Sequence, residues 1–186
     1  MDLQKLACEP SPAAYNEYRH ALVPGCGSGY DVVLLAQYGW RAKGIDLSPI
    51  AIDRARRIAS DSPDSDGATF AVENFFDTQA PTGGYQLIFD YTFFCALDPK
   101  LREAWARKMS QLLAKHGILV TLMFPTKQLT DNPPPHTSAP EDYTRVLSPY
   151  FDLVGETIAG KGPASRREIE MIALWRLKEA EQQPKH

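Results

Sequence analysis

The 186-residue sequence contains only three cysteines, which are widely spaced and form no Cys-x-x-Cys pair. This scarcity argues against a disulfide framework and against a zinc site. The longest apolar run, around residues 118–124, is far shorter than the roughly 20 residues that a membrane helix needs. The net charge is −3 and the basic residues are dispersed, so no basic patch suggests nucleic-acid binding. We therefore expect no metal, no membrane span and no nucleic-acid partner.

The amino-terminal residues contain acidic residues and prolines where a signal peptide would have a basic start and an apolar run. This composition predicts a cytoplasmic location. With 44% hydrophobic and 23% charged residues, the chain has the composition of an ordinary globular protein. Its length suits one domain. We predict a single domain over residues 1–186, with a short amino-terminal segment at 1–20 and a polar tail at 178–186.

Short β-branched runs alternate with amphipathic stretches, a pattern typical of βαβ units and a mostly parallel sheet. The sequence predicts seven strands, at residues 20–23, 41–45, 69–72, 86–89, 118–124, 151–158 and 168–177. It predicts four helices, at 31–38, 49–58, 97–113 and 141–147, with Gly117 ending the third. Five prolines within residues 125–140 predict a long surface loop that could form a substrate lid. The expected fold is α/β, with helices on both faces of the sheet and a closing antiparallel hairpin.

A glycine-rich turn, LVPGCGSGY, follows the first predicted strand. Glycine has no Cβ, so such a turn lets the backbone approach a ligand at the carboxyl edge of the sheet. Asp46 lies 21 residues after Gly25, at the end of the next strand, where a carboxylate can accept both hydroxyls of a ribose. Tyr30 replaces the last glycine of a dinucleotide fingerprint, and no P-loop lysine is present. The combination favours an adenosine ligand; a simple strand-to-helix turn is the alternative.

Asn74 and Phe75 follow the third predicted strand, where an adenine ring would lie if its ribose were bound to Asp46. Phe75 could pack on the face of the ring, and the Asn74 amide could meet its edge. A core phenylalanine and a turn asparagine are the alternative interpretation of the two residues. Only their spacing from the glycine-rich turn favours a binding role.

The aromatic segment DYTFFCAL follows the fourth predicted strand at the same edge of the sheet. Its polar groups could line a reacting centre while its rings exclude water. Asp90 and Tyr91 are therefore the candidate catalytic residues, although the sequence assigns no catalytic step to either. Cys95 has no recognisable histidine partner, which favours a packing role over a nucleophilic one.

The segments ALVPGCGSGYDV, GIDLS, FDYTFFCAL, LREAWARKM, LVTLMFP and REIEMIALWR together closely resemble the thiopurine S-methyltransferase-like superfamily. More narrowly, they resemble its thiol and halide methyltransferase branch, and the likeness runs from about residue 21 to residue 176. The resemblance implies the Rossmann-like class I methyltransferase fold. It also implies S-adenosylmethionine as cofactor, S-adenosylhomocysteine as product, and a small soft nucleophile, above all a thiol, as acceptor.

The resemblance further implies roles for individual residues. By the family's pattern Gly25 and Gly27 line the methionine part of the cofactor, Asp46 holds the ribose, Asn74 and Phe75 border the adenine, and Tyr91 reaches the cofactor near its reacting end.

The chain departs from the family's pattern at two points. Family members usually have aspartate where this chain has Asn74, which leaves one negative charge fewer in the site. They also have several dozen more residues before the glycine-rich turn, including tryptophans that close over the cofactor, whereas about 20 residues precede it here. A second copy of the chain or a partner chain could then cover the site. Two other functions stay open: a scaffold redirected to a non-methylating step of secondary metabolism, and a cofactor-binding partner protein without catalysis.

Overall fold

The computed structural model describes residues 19–158 and 169–179, except for the side chains of Thr157 and Ile158. Its strands are β1 (His20–Pro24), β2 (Arg41–Asp46), β3 (Ala68–Val72), β4 (Tyr85–Tyr91), β5 (Leu113–Met123), β6 (Phe151–Ile158) and β7 (Met171–Leu177). Its helices are α1 (Tyr30–Gln37), α2 (Pro49–Ser60), α3 (Arg102–Leu112) and α4 (Pro140–Leu147). Most of the predicted amino-terminal segment and polar tail lie outside the described residues.

The seven strands form one sheet in the order β3-β2-β1-β4-β5-β7-β6. The first five pair in parallel, while β7 runs antiparallel to both of its neighbours, β5 and β6. The predicted fold class, a mostly parallel seven-stranded sheet with a closing antiparallel hairpin, is therefore confirmed. The strand order reverses at β1, whose neighbours are β2 on one side and β4 on the other. Such a reversal opens a crevice beyond the carboxyl ends of the strands.

The helices cover both faces of the sheet. Successive strand residues point to opposite faces, so Ala21 and Val23 pack in the cluster beneath α1. Leu22 instead packs in the larger cluster with Trp105 of α3 and Tyr143 of α4. In the described part of the chain, no helix is long and apolar enough to cross a membrane.

The third helix is shorter than the sequence predicts, and its predicted stop signal has another role. A 3₁₀ turn at Pro99–Leu101 precedes α3, which ends at Leu112 before the chain continues directly into β5. Gly117 therefore lies within β5 and does not end the helix. A Cβ at this position would lie 2.8 Å from the carbonyl oxygen of Tyr85 on β4. The glycine allows two neighbouring strands to approach closely where their register shifts.

Replacing Gly117 by alanine tests this interpretation. We expect Gly117→Ala to lower the free energy of unfolding by about 1–3 kcal/mol, because the added methyl group has to displace strand backbone. Gly155→Ala, in β6, is the matched control, since its Cβ would make only an ordinary 3.4 Å contact with Leu174. The free energy of unfolding of both variants is measured by chemical denaturation and compared with that of the wild type. Equal stabilities would contradict the close-approach role of Gly117.

Candidate cofactor and active site

A cavity of about 530 Å³ opens at the carboxyl edge of β1, β2, β3 and β4, on the side of the sheet where the strand order reverses. Its volume falls within the range of small-molecule sites. It is lined by Gly25, Ile45, Asp46, Leu47, Glu73, Asn74, Phe75, Phe76, Thr92, Phe93, Ala96, Leu97 and Leu101. Four of the predicted site residues, Gly25, Asp46, Asn74 and Phe75, are thus brought together.

The glycine-rich turn after β1 forms one wall of the cavity. Gly25 has a φ of 58°, a left-handed conformation that favours glycine. A Cβ on Gly25 would lie 2.5 Å from the Phe93 ring, so only glycine lets that ring lie against the backbone. Gly27 also has a positive φ, of 53°. A Cβ built on Gly27 would have no neighbouring heavy atom within 4 Å, so space alone does not require glycine there. Gly27 is not among the described residues that line the cavity, and its predicted contact with the methionine part stays a prediction.

Asp46 connects the glycine-rich turn to the beginning of α2. Its Oδ2 accepts a hydrogen bond from the Gly27 backbone N–H at 3.0 Å, and its Oδ1 accepts one from the Ser48 N–H at 2.9 Å. Ser48 in turn caps α2 by accepting the Ala51 N–H. A carboxylate has about four acceptor positions, so each Asp46 oxygen keeps one for a ligand. This arrangement suits the predicted ribose contact.

Asn74 and Phe75 form the opposite wall. The Asn74 Oδ1 accepts the Phe76 N–H at 3.2 Å, and its Nδ2 donates to Asp77 Oδ2 at 2.9 Å. One amide hydrogen therefore remains for the edge of a ligand ring. Phe75 is buried, and its ring meets the Phe93 ring edge-on at 5.2 Å.

The segment that follows β4 closes the cavity from the side of α3. Thr92 has a φ of 63°, which is strained for a β-branched residue, and it lines the cavity together with Phe93. The Cys95 thiol donates to the Thr92 carbonyl oxygen at 3.2 Å. Tyr91 is 37% exposed, lies beside Phe89, and is not among the described residues that line the cavity. Its predicted contact with the cofactor stays a prediction.

Asp90, the other candidate catalytic residue, is completely buried and does not line the cavity. Its Oδ1 accepts the backbone N–H groups of Phe93 and Phe94 at 3.0 and 3.2 Å, and its Oδ2 accepts the Trp105 indole N–H at 3.0 Å. Burial raises the pKa of Asp90 to about 7, against the opposing effect of these three donors. The carboxylate connects the end of β4 to α3 from inside the core.

The two ionisable side chains among the described residues that line the cavity are both carboxylates. Asp46 and Glu73 line it, whereas no lysine, arginine or histidine is among its described lining residues. Glu73 is paired with Lys43, whose Nζ lies 2.6 Å from Glu73 Oε2. Neither Glu73 nor Leu47 was predicted from the sequence as a site residue. Their positions directly after β3 and β2, at the edge predicted to bind the ligand, were the available signal.

The described cysteines do not form a reactive centre. Burial, and to a lesser degree the negative charge of Asp46, raises the pKa of the Cys26 thiol to about 12, so this thiol stays protonated near neutral pH. Cys95 is buried and donates its hydrogen to Thr92. In the described residues, no group of three histidine, cysteine, aspartate or glutamate side chains is placed to hold a metal ion.

Comparison with known proteins gives relatives over most of the chain. The family model of thiopurine S-methyltransferase matches residues 4–157. The chain is 40% identical over 157 residues to the probable thiol methyltransferase 2 of Arabidopsis thaliana, an alignment that covers 84% of this chain and 69% of that protein. It is 44% identical over 159 residues to thiocyanate methyltransferase 1 of the same plant, covering 84% and 68% of the two chains.

The fold has solved counterparts at lower identity. The N-methyltransferase NodS from Bradyrhizobium japonicum, in complex with S-adenosylhomocysteine, superimposes with a TM-score of 0.68 at 20% identity, covering 86% of this chain and 78% of that one. At this identity the likeness concerns the fold alone. The match to the family model and the two plant relatives identify the branch. The chain belongs to the thiopurine S-methyltransferase family of class I S-adenosylmethionine-dependent methyltransferases.

Proposed function

We propose that this protein transfers the methyl group of S-adenosylmethionine to a small thiol, and that the cavity binds the adenosine part of the cofactor. The observation that carries the proposal is the position of Asp46 between the glycine-rich turn and the Asn74–Phe75 wall, with one acceptor position left on each carboxylate oxygen. The printed names of the plant relatives, a probable thiol methyltransferase and a thiocyanate methyltransferase, support a sulfur acceptor.

The cavity walls suit the two halves of adenosine. Asp46 presents acceptors for the ribose hydroxyls, while Phe75 and Phe93 offer apolar surface for a planar ring. Leu47 lies at the opening, where its side chain is 71% exposed, and it can cover the outer face of the ring. Asp46 ends β2 and Leu47 directly follows it, while Phe75 and Phe93 lie in the short turns after β3 and β4.

The charge of the cavity also suits this cofactor. When bound, S-adenosylmethionine supplies an electrophilic methyl group on a positively charged sulfonium. Because Glu73 is ion-paired with Lys43, the negative potential at the cavity comes mainly from Asp46, and this potential attracts such a cation. The aromatic and aliphatic side chains exclude water from the adenosine end and fix its orientation, so that the methyl group can be displaced in line.

The described walls of the adenosine cavity supply no base to the acceptor either. The cavity's described lining contains no histidine, lysine or tyrosine that could act as a base, and its two carboxylates are engaged with backbone N–H groups or with Lys43. An acceptor that loses its proton easily needs little help from a base. A thiol, with an ordinary pKa of about 8.5, meets this condition far better than an alcohol or a phenol.

A matched acceptor panel tests the proposed reaction. The protein is incubated with methyl-labelled S-adenosylmethionine and thiophenol, phenol or aniline, which share one ring and differ in the nucleophilic atom. We expect methylation of thiophenol alone. Its thiol is ionised near neutral pH without a strong base, the phenol hydroxyl stays protonated, and the neutral aniline nitrogen is a weaker nucleophile than a thiolate. Methylation of phenol or aniline at a comparable rate would contradict the proposed acceptor class. Absence of transfer to all three, with cofactor binding intact, would contradict thiol transfer.

Leu47 tests the position of the adenine ring. Its side chain is exposed in the structure, so Leu47→Ala should leave the melting temperature unchanged. If the ring packs against it, the variant should bind S-adenosylhomocysteine roughly five- to thirtyfold more weakly, the equivalent of about 1–2 kcal/mol of lost apolar contact. Ile50→Ala is the matched control, because Ile50 is 80% exposed and does not line the cavity. Equal affinities of both variants in calorimetric titration would contradict the proposed pose.

Asp46 tests the ribose contact. We expect Asp46→Asn to weaken binding of S-adenosylhomocysteine by about tenfold or more, because an amide offers one acceptor oxygen where the carboxylate offers two. The variant should also lose some thermal stability. The amide nitrogen cannot accept a hydrogen bond, so either the Gly27 or the Ser48 N–H loses its acceptor. Asp53→Asn, in the exposed part of α2, controls for the change in net charge. Wild-type affinity in Asp46→Asn would remove the main support for the adenosine site.

A further inference from the structure

The buried Asp90 carboxylate connects three separate parts of the site region at once. It is the second-to-last residue of β4, it accepts two successive backbone N–H groups from the segment at residues 91–97, and it accepts the indole N–H of Trp105 on α3. Hydrogen bonds to an ionised acceptor are about twice as strong as neutral ones. The path of the chain after β4 is therefore fixed from the core side by a single side chain.

That path determines the wall of the cavity. Thr92 takes a strained left-handed conformation, and the next residue, Phe93, then lies against the backbone of Gly25 and the ring of Phe75. A strained residue persists only where its surroundings hold it in place. The two N–H groups that Asp90 accepts come directly after Thr92, so they hold the turn that places the Phe93 ring.

We propose that Asp90 is a positioning residue for the cofactor: through the Phe93 and Phe94 N–H groups and Trp105, it holds the segment at residues 91–97 in the conformation that makes Phe93 a wall of the adenosine cavity. It touches neither the cofactor nor the acceptor. The inference rests on the proposed function, because it assigns a residue to the proposed adenosine site.

The assignment predicts a pH dependence with a definite sign. Ionised Asp90 can accept all three hydrogen bonds, whereas a protonated carboxyl has to place its own hydrogen among three donors. Because the pKa of Asp90 lies at about 7, cofactor affinity should fall as the pH drops through neutrality. Of the groups that face this position, Tyr143 of α4 has a pKa raised well above its usual value, first by burial and then by Asp90 itself, and stays neutral. Arg102 of α3, whose guanidinium lies over the Phe94 ring, stays charged.

The effect on folding has the opposite sign. Since the pKa of Asp90 is raised in the folded state, its contribution to stability is fully present below the unfolded value of 3.8 and is lost as the pH rises through about 7. Protonation of Asp90 therefore does not unfold the protein. Weaker cofactor binding at mildly acidic pH, if it comes from Asp90, cannot be ascribed to loss of the fold.

The test uses the whole chain and two matched tryptophan variants. Trp105→Phe removes the indole donor of Asp90, and Trp175→Phe removes another buried indole hydrogen bond, to Thr121 Oγ1 at 3.0 Å, away from the cavity. Binding of S-adenosylhomocysteine is measured by calorimetric titration between about pH 6 and 8.5 for the wild type, both variants and Asp90→Asn. Melting temperatures are recorded for each.

We expect Asp90→Asn to bind the probe roughly tenfold more weakly at about pH 8 and to lose the pH dependence that the wild type shows. Trp105→Phe should weaken binding in the same direction, and Trp175→Phe should lower stability without a comparable loss of affinity. Equal effects of the two tryptophan variants, or identical pH profiles of the wild type and Asp90→Asn, would overturn the assignment. If Asp90→Asn fails to fold, the tryptophan pair and the wild-type pH profile decide alone. Absence of binding by the wild type would overturn the proposed function as well.

Discussion

The parallel pairing of β1 with both β2 and β4 is the constraint on which the site depends. Pro24 at the end of β1 pairs with Ile45, and Leu22 pairs with Ile88, so the three strands end at the same edge of the sheet. The connections that leave this edge diverge to either side of β1 and leave a crevice between them. Residues more than 40 positions apart in the chain, such as Gly25 and Phe93, can meet there only because of this strand order.

Two carboxylates at the carboxyl ends of parallel strands make the same kind of hydrogen bonds but have different roles. Asp46 and Asp90 each accept two backbone N–H groups from the turn regions at the edge of the sheet, which fixes the backbone there. Asp46 faces the cavity and keeps acceptor positions for a ligand. Asp90 faces the core, where the Trp105 indole N–H donates to its other oxygen and burial raises its pKa. In our proposal, the difference in exposure, more than residue type, distinguishes the binding role of Asp46 from the positioning role of Asp90.

The sequence was sufficient for what depends on local pattern. The strands, the capped start of α2 and the placement of Gly25 and Asp46 on one edge follow from hydrophobic period, turn residues and the βαβ rule. It was insufficient where a residue's role depends on contacts with distant parts of the chain. Gly117 was predicted to stop a helix, but the requirement for glycine comes from the carbonyl of Tyr85 on a neighbouring strand. The burial of Asp90 and the backbone of Thr92 likewise depend on packing against α3, which spacing alone does not reveal.

The strain at Thr92 and the absence of a side chain at Gly25 are two parts of one arrangement. The left-handed turn at Thr92 directly precedes Phe93, whose ring lies in the space that a Cβ on Gly25 would need. A side chain at position 25 would displace the Phe93 ring. Conversely, if the turn at Thr92 relaxed, the ring would no longer be held against Gly25. Either change alters the same cavity wall, so the glycine-rich turn and the segment after β4 act as a single unit. The core hydrogen bonds of Asp90 hold that unit from behind, and this is why a residue without contact to the cavity can still determine its shape.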